Sequence, residues 1–268
     1  MSNSAFKKKK KIKPIAKPYL RGSVYGRTVL FRGMKLWVYP FIFILFNLFV
    51  GAPFSFENSP FLRVVMNGLL IVFCGLLLYS GGQNAGYGDI SIAEIMYNHE
   101  QEGKPVSAKD RERCYHPLKG AVTALIGCAP WLLIALIYAL TAKRQEFTLP
   151  VLPNWVGYYS AQASFSAPLQ YYSIPHPFEI ADVLRYVVRL LIYPYINLVG
   201  VRNADLVLLM DRLSPLTVCL PFTAYAIGYL RGRYSRAMLH GSMAAADRRK
   251  RRKARQAERK TKSRPELV

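Results

Sequence analysis

The chain has 268 residues, of which 52% are hydrophobic, and its 37 Lys and Arg outnumber 15 Asp and Glu, giving a formal net charge of +22. The excess charge lies at the two ends, because residues 1–35 contain no acid, residues 231–268 contain three acids, and residues 36–230 are neutral. This distribution excludes a purely disordered chain, a disulfide-rich secreted domain and a globally basic nucleic-acid-binding fold. It predicts a membrane protein with two basic ends.

Residues 1–35 are predicted to form a basic cytoplasmic segment. Five consecutive lysines are followed by prolines in this segment, a composition that predicts an extended, disordered chain. The first apolar interval follows, and we interpret it as an uncleaved signal-anchor, because the preceding segment is far longer than the basic region of a signal peptide.

Four apolar intervals match the roughly 20 residues that a transmembrane helix needs. They cover about 36–56, 61–80, 119–141 and 213–230. The predicted fold is therefore an all-α integral membrane protein, a four-helix transmembrane bundle with an outer interfacial or re-entrant helix and basic cytoplasmic tails. Small residues on one face of the second interval (Gly68, Gly75) and of the third (Gly120, Ala124, Gly127) predict close helix packing.

The loop at 81–118 is predicted to lie inside, because it and the adjoining Lys119 supply five basic residues and Lys and Arg favour the cytoplasmic side. Ser91 to Glu94 and Ser107 to Asp110 each fit a capping box, which predicts a two-helix hairpin over 90–116. We expect the apolar stripe of this hairpin to dock on the membrane surface or the basic tails, or alternatively to bind a protein partner.

An outer loop over 142–182 leads to an ambiguous apolar segment at 183–201. Arg185 and Arg189 are four residues apart and so share one helical face, and a charge at the bilayer centre costs roughly 2.5–3.5 kcal/mol on insertion scales. We therefore predict an interfacial or re-entrant helix here. The competing interpretation, a true span, needs a further span around 205–213, and that stretch is too short and too charged.

Both ends are basic, so both are predicted to be cytoplasmic, which requires an even number of spans. The predicted location is the plasma membrane, the inner membrane in a bacterium.

Few residues suggest a catalytic, metal-binding or disulfide-forming role. Three cysteines (Cys74, Cys128, Cys219) fall in spans and Cys114 in the inner loop, a pattern that predicts small apolar side chains and no disulfide. The spacing of His, Cys and Glu matches no metal site, and no nucleophile set or phosphate-binding loop is visible. We predict no catalytic residues, no cofactor and no metal, which favours a non-enzymatic protein.

Residues 231–268 are predicted to form a basic cytoplasmic tail whose helix continues the last span. The expected partners are the lipid bilayer with its anionic headgroups, and the ribosome or another RNA, which would be bound without sequence specificity because stacking aromatics are missing. The residues expected to make these contacts are Lys7, Lys8, Lys9, Lys10, Lys11, Arg248, Arg249, Lys250, Arg251, Arg252 and Lys253.

Three functions are compatible with this pattern. The favoured hypothesis is a scaffold or accessory factor whose tails hold anionic lipid, RNA or an acidic partner. A small transporter or channel is the alternative, with Asn47, Asn67 and Arg63 along its path. A lipid-acting intramembrane enzyme is a further alternative, in which Arg185 and Arg189 hold a headgroup phosphate.

Overall fold

The structure is a computed structural model that describes residues 13–51, 59–142, 180–200 and 204–262, and it contains no strand within these ranges. Its helices are α1 (Arg27–Leu36), α2 (Val38–Phe46) followed by a π-helical turn (Asn47–Gly51), α3 (Pro60–Gln101), α4 (Ala108–Arg113), α5 (Lys119–Thr141), α6 (Ile180–Leu191), α7 (Tyr193–Val199), α8 (Ala204–Arg212) and α9 (Ser214–Lys262). The all-helical prediction is confirmed for these residues. The lysine block at 7–11 and nearly all of the predicted outer loop lie outside them.

Three helical stretches are long and apolar enough to cross a membrane: Arg27–Phe49, Pro60–Gln101 and Lys119–Thr141. A fourth candidate is the bent pair Asp205–Arg212 and Ser214–Ala257, whose axes differ by 54°. Large apolar side chains lie on the surface of these stretches, for example Phe61 and Leu140, which are 79% and 80% exposed. Exposed apolar surface on this scale is typical of a face that contacts lipid or protein.

The helix boundaries differ from the predicted ones in three places. The first apolar stretch begins at Arg27 and is broken at Trp37, whereas the sequence predicted one span over 36–56. The segment 183–201 is two short helices, because Pro194 occupies the start of α7 and favours a new helix there. The stretch at 205–213, judged too short and too charged for a span, forms α8 and bends into α9.

The inner loop is also different from the prediction. Helix α3 continues without a break to Gln101, so Ser91 lies inside a helix and does not cap one. The second capping box is correct: Ser107 Oγ accepts the backbone N–H of Asp110, and α4 follows. A capping box therefore marks a helix start only where the preceding helix has ended.

Two compact units divide the chain. The first, called the basic unit below, comprises Met1–Gly26, Ser80–Gly120 and Ile227–Val268, and the second, the apolar unit, comprises Arg27–Tyr79 and Ala121–Ala226. In the basic unit a core forms around Ile90, Ala93, Cys114, Tyr115 and Tyr229.

Glycines explain how α3 and α9 pack in the basic unit. A Cβ on Gly86 would collide with the carbonyl of Tyr229, and one on Gly232 would lie 2.5 Å from the backbone nitrogen of Tyr87. The two backbones can touch only because both residues lack a side chain. In the apolar unit Gly127 similarly packs on Leu36, as predicted, but added Cβ atoms on Gly68 and Gly75 would meet nothing within 4 Å.

Prolines shape the apolar unit, and neighbouring helices supply the hydrogen bonds that the prolines omit. Pro130 has no N–H to donate to the carbonyl of Ile126, and the indole Nε1 of Trp37 donates to that oxygen instead, at 2.8 Å. The carbonyl of Leu190, in the last turn of α6, also accepts from a neighbouring helix, from Asn47 Nδ2 at 3.1 Å. Such compensation is what allows proline inside helices where water is absent.

Candidate functional site

The exposed end of α9 carries the densest charge in the described part of the chain. Residues 248–257 contain seven Lys and Arg and no acid, and all ten are exposed. Successive helical residues are about 100° apart, so these cations surround the helix axis and leave no apolar face. The predicted helical continuation of the last span is confirmed, and Arg248, Arg249, Lys250, Arg251, Arg252 and Lys253 lie on one helix.

Arg236 and His240, which lie on α9 closer to the core of the basic unit, contact a carboxylate. Arg236 Nε lies 3.1 Å from Glu94 Oε2, and its Nη1 donates to the Tyr87 hydroxyl at 2.9 Å. The ring Nε2 of His240 lies 2.9 Å from Glu94 Oε1. Two groups of α9, Arg236 and His240, therefore contact one carboxylate of α3.

Residues 13–26, called the strap below, lie against the helices of the basic unit. The backbone N–H groups of Ile15, Leu20 and Gly22 donate to carbonyls of Ala237, Ala93 and Tyr115, at 2.9, 3.0 and 3.0 Å. The sequence predicted an extended, disordered chain up to Pro18; Ile15 has no regular secondary structure, but a backbone hydrogen bond holds it to α9. Proline has no backbone N–H, so a proline-containing segment is expected to make few backbone hydrogen bonds. The residues between the prolines can still make them.

Tyr19 anchors the middle of the strap. Its ring meets that of Tyr115 edge-on with centroids 5.8 Å apart, and the guanidinium of Arg233 lies 5.2 Å from its centroid. Tyr115 in turn stacks on Tyr229 at 5.3 Å. Aromatic and cation–π contacts of this kind each contribute about 0.5–1.5 kcal/mol.

A buried ion pair, which the sequence analysis did not anticipate, joins three elements of the basic unit. Lys119 Nζ lies 3.1 Å from Asp89 Oδ2, and both side chains are at most 1% exposed. Lys119 also donates to the carbonyls of Glu112 and Cys114, at 2.7 and 3.2 Å, and the Tyr229 hydroxyl donates to Asp89 at 2.8 Å. Because the pair is saturated with hydrogen bonds, its geometry suits a structural link.

The segment next to this pair holds three groups with shifted pKa values. Burial raises the pKa of the Cys114 thiol, which makes it a poor nucleophile, and burial also raises the pKa of the Tyr115 hydroxyl. Burial, reinforced by the charges of Arg21 and Lys119, lowers the pKa of His116. The His116 ring accepts the N–H of Leu118 at Nδ1, so its neutral form fits the structure.

A second buried ion pair lies in the apolar unit, at one of the arginines proposed to hold a phosphate. Arg189 Nη2 lies 2.6 Å from Asp211 Oδ2, and its Nε lies 3.1 Å from the Tyr138 hydroxyl. Arg189 and Asp211 are 5% and 1% exposed. The sequence analysis missed Asp211 as a partner because it discounted the segment that forms α8.

The neighbouring Arg185 is also occupied. Its Nη1 lies 2.9 Å from Asp182 Oδ1, one turn earlier on α6. Both arginines that were predicted to hold a headgroup phosphate therefore have carboxylate partners, and Arg189 is also buried.

The predicted path residues lie in helix contacts. Asn67 is fully buried, donates to the carbonyl of Arg63 at 2.8 Å and accepts from Asn197 Nδ2 at 3.3 Å. Asn47 donates to the carbonyl of Leu190. Arg63 lies so close to Gly200 that a Cβ there would be 3.0 Å from its Nη2.

The cavities among the described residues include an open apolar groove of about 210 Å³, lined by Phe46, Met66, Leu69, Leu70 and Phe73. A cavity of about 30 Å³ in the apolar unit is lined by Asn47 and by apolar residues such as Phe43, Ile192 and Phe222, and it has the size of a water site. No three His, Cys, Asp or Glu side chains converge on a possible metal position among the residues described.

Comparison of the chain with protein-family models, with curated proteins and with solved structures finds no significant match in any of the three.

Proposed function

We propose that the protein is an integral membrane protein of the plasma membrane, the inner membrane in a bacterium, with both termini in the cytoplasm. The apolar helices and their lipid-like surface support this proposal. The contacts of the strap with α9 support the same-side arrangement, since two segments that hydrogen-bond to each other must lie on one side of a bilayer.

The connectivity favours four crossings. The chain leaves the basic unit after Gly26, returns at Ser80, leaves again after Gly120 and returns at Ile227. Each excursion must cross the bilayer an even number of times. The first contains two candidate spans, and the second contains α5 and the bent pair of α8 and α9, while α6 and α7 are each too short for a 30 Å core.

Within that topology, we propose a non-enzymatic scaffold that holds RNA, such as the RNA of a ribosome, at the membrane through the cationic end of α9. The observation that carries the proposal is the exposed run at 248–257, which is charged on every side of one continuous helix. Phosphate backbones bind such surfaces by releasing counterions, without reading sequence.

The position of this run favours RNA over the surrounding lipid. Leu230, the last apolar residue of the fourth span, precedes Arg248 by 18 residues, which corresponds to about 27 Å along a helix. The attraction of anionic headgroups fades within a Debye length of about 8 Å. A helix that lies flat on a membrane also needs an apolar face, which 248–257 lacks.

The two other functions receive less support. A transporter path through Asn47 and Asn67 has little space, because both amides are engaged with other helices. A lipid-acting enzyme would need open arginines, and Arg185 and Arg189 are paired with carboxylates.

The test uses the full chain in nanodiscs of zwitterionic lipid and measures its binding to a labelled RNA of about 20 nucleotides as a function of salt. The variant replaces Arg248, Arg249 and Arg252 with Gln. Its matched control replaces three exposed cations of the same unit, Lys104, Lys109 and Arg113. Losing three phosphate contacts should flatten the slope of log affinity against log salt by about 2 and weaken binding about 10- to 100-fold.

The control should bind nearly as the parent does, because its cations lie on α4 and the preceding loop. Equal losses in both variants would show that net charge matters and the α9 surface does not. Binding of the parent to anionic vesicles but not to RNA would make lipid the ligand and refute the proposal.

A further inference from the structure

The strap runs along α9 in a defined direction. Tyr19 contacts Arg233, and Ile15 hydrogen-bonds to Ala237. Moving four residues toward the N-terminus of the strap therefore moves four residues toward the C-terminus of α9. The strap is antiparallel to the helix, so its N-terminal described residues lie at the end of the strap that is nearer to the cationic run.

The strap carries exposed cations of its own. Lys13 lies two residues upstream of Ile15, and Lys17 and Arg21 follow, all three with exposed side chains. Arg248 lies eleven residues beyond Ala237, about 16 Å along the helix axis. A nucleic-acid strand of several nucleotides is long enough to cover that separation.

We propose that the strap and the cationic end of α9 are two arms of one RNA-binding surface, and that a single RNA strand contacts both arms through its phosphates. This inference rests on the proposed function and adds a second, N-terminal half to the site. Both arms carry exposed cations, and a polyanion that contacts both is attracted by their combined charge. Glu94, a carboxylate of α3 that contacts α9, already binds Arg236 and His240.

An RNA strand fits this arrangement better than a planar bilayer does. A flexible chain of phosphates can pass between two arms and contact each of them, whereas a flat surface contacts one side of a helix. Linking two arms in this way raises affinity because the second contact forms at a high effective concentration. An acidic protein surface is the competing ligand that the test must separate.

The first experiment maps protection of lysines from acylation on the unmodified chain in zwitterionic nanodiscs, with and without an RNA of about 20 nucleotides. We expect Lys13 and Lys17 on the strap to become protected together with Lys250 and Lys253 on α9, at the same RNA concentration. Lys104 and Lys109 serve as internal controls that stay reactive. Protection of the α9 lysines alone would overturn the two-arm inference and leave the proposed function standing, whereas no protection at either arm would refute both.

The second experiment loosens the strap without changing its charge. Tyr19→Ala removes the ring that contacts Tyr115 and Arg233, and Tyr19→Phe keeps that ring. We expect Tyr19→Ala to weaken binding of the long RNA about 10-fold or more and to leave binding of an RNA of about five nucleotides nearly unchanged, because the short RNA engages one arm. Tyr19→Phe should bind as the parent does.

An equal loss for both RNA lengths, or no loss for the long RNA, would contradict the two-arm arrangement. A stronger response to an acidic peptide of matched charge than to the long RNA would assign the surface to a protein partner and overturn the inference.

Discussion

The ion pair between Asp89 and Lys119 allows a quantitative prediction about the basic unit. Lys119→Met would remove the cation 3.1 Å from Asp89 Oδ2 and leave a carboxylate that is 0% exposed. Stranding one partner of a buried pair costs about 3–5 kcal/mol. The carbonyls of Glu112 and Cys114 would also lose their donor, so we expect the free energy of unfolding to fall by at least about 3 kcal/mol.

A double variant separates the charge from the packing. In Asp89→Asn with Lys119→Met no charge is stranded, so the double variant should lose less stability than the sum of the two single variants, by about 1–3 kcal/mol. The exposed pair of Lys104 and Glu102, with side chains 62% and 56% exposed, provides the matched control. Lys104→Met should change stability by less than about 1 kcal/mol.

The assay is thermal unfolding of the detergent-solubilised full chain by circular dichroism, combined with amide hydrogen exchange over residues 107–118. Exchange gives a local measure where a two-unit protein does not unfold in a single step. If Lys119→Met and Lys104→Met had the same effect, or if the cycle were additive, the pair would not be the link described here.

Three further predictions concern single positions. Gly86→Ala should destabilise the protein by about 1–3 kcal/mol because its Cβ meets a backbone carbonyl of α9. Gly88→Ala, whose Cβ meets nothing within 4 Å, should instead stabilise α3 by up to about 1 kcal/mol. Equal melting temperatures for the two variants would argue against close packing at Gly86. His116 has a lowered pKa in the folded protein, so the unfolded chain binds more protons and stability should fall as pH drops below about 6.5. His116→Asn should reduce this pH dependence of stability. An unchanged pH profile would exclude His116 as its source. Asp211→Asn should destabilise the apolar unit by about 3 kcal/mol by stranding Arg189, and Arg212→Gln, an exposed position on the same helix, should have little effect in the same melting experiment.

Periodicity and composition predicted the helices well, but not how long they are. The interval 119–141 coincides with α5 because apolar length alone defines it. The second span was predicted to end at about residue 80, yet α3 continues to Gln101, and Gly86 and Gly232 let this part of it pack on α9. In this part of α3, tertiary packing overrides the low helix propensity of glycine.

Some features of the polar residues follow from the sequence, and others follow only from the tertiary structure. The sequence alone determined the basic ends, the apolar intervals and the cap at Ser107, because each depends on neighbours in the chain. Tertiary structure alone decided the partners of Lys119 and Arg189, which lie 30 and 22 residues from Asp89 and Asp211. It also decided that the N-terminal strap lies on α9, because backbone hydrogen bonds between Ile15 and Ala237 leave no trace in the side-chain pattern. Charge patterning shows where cations are abundant, and only the fold shows which of them are already paired.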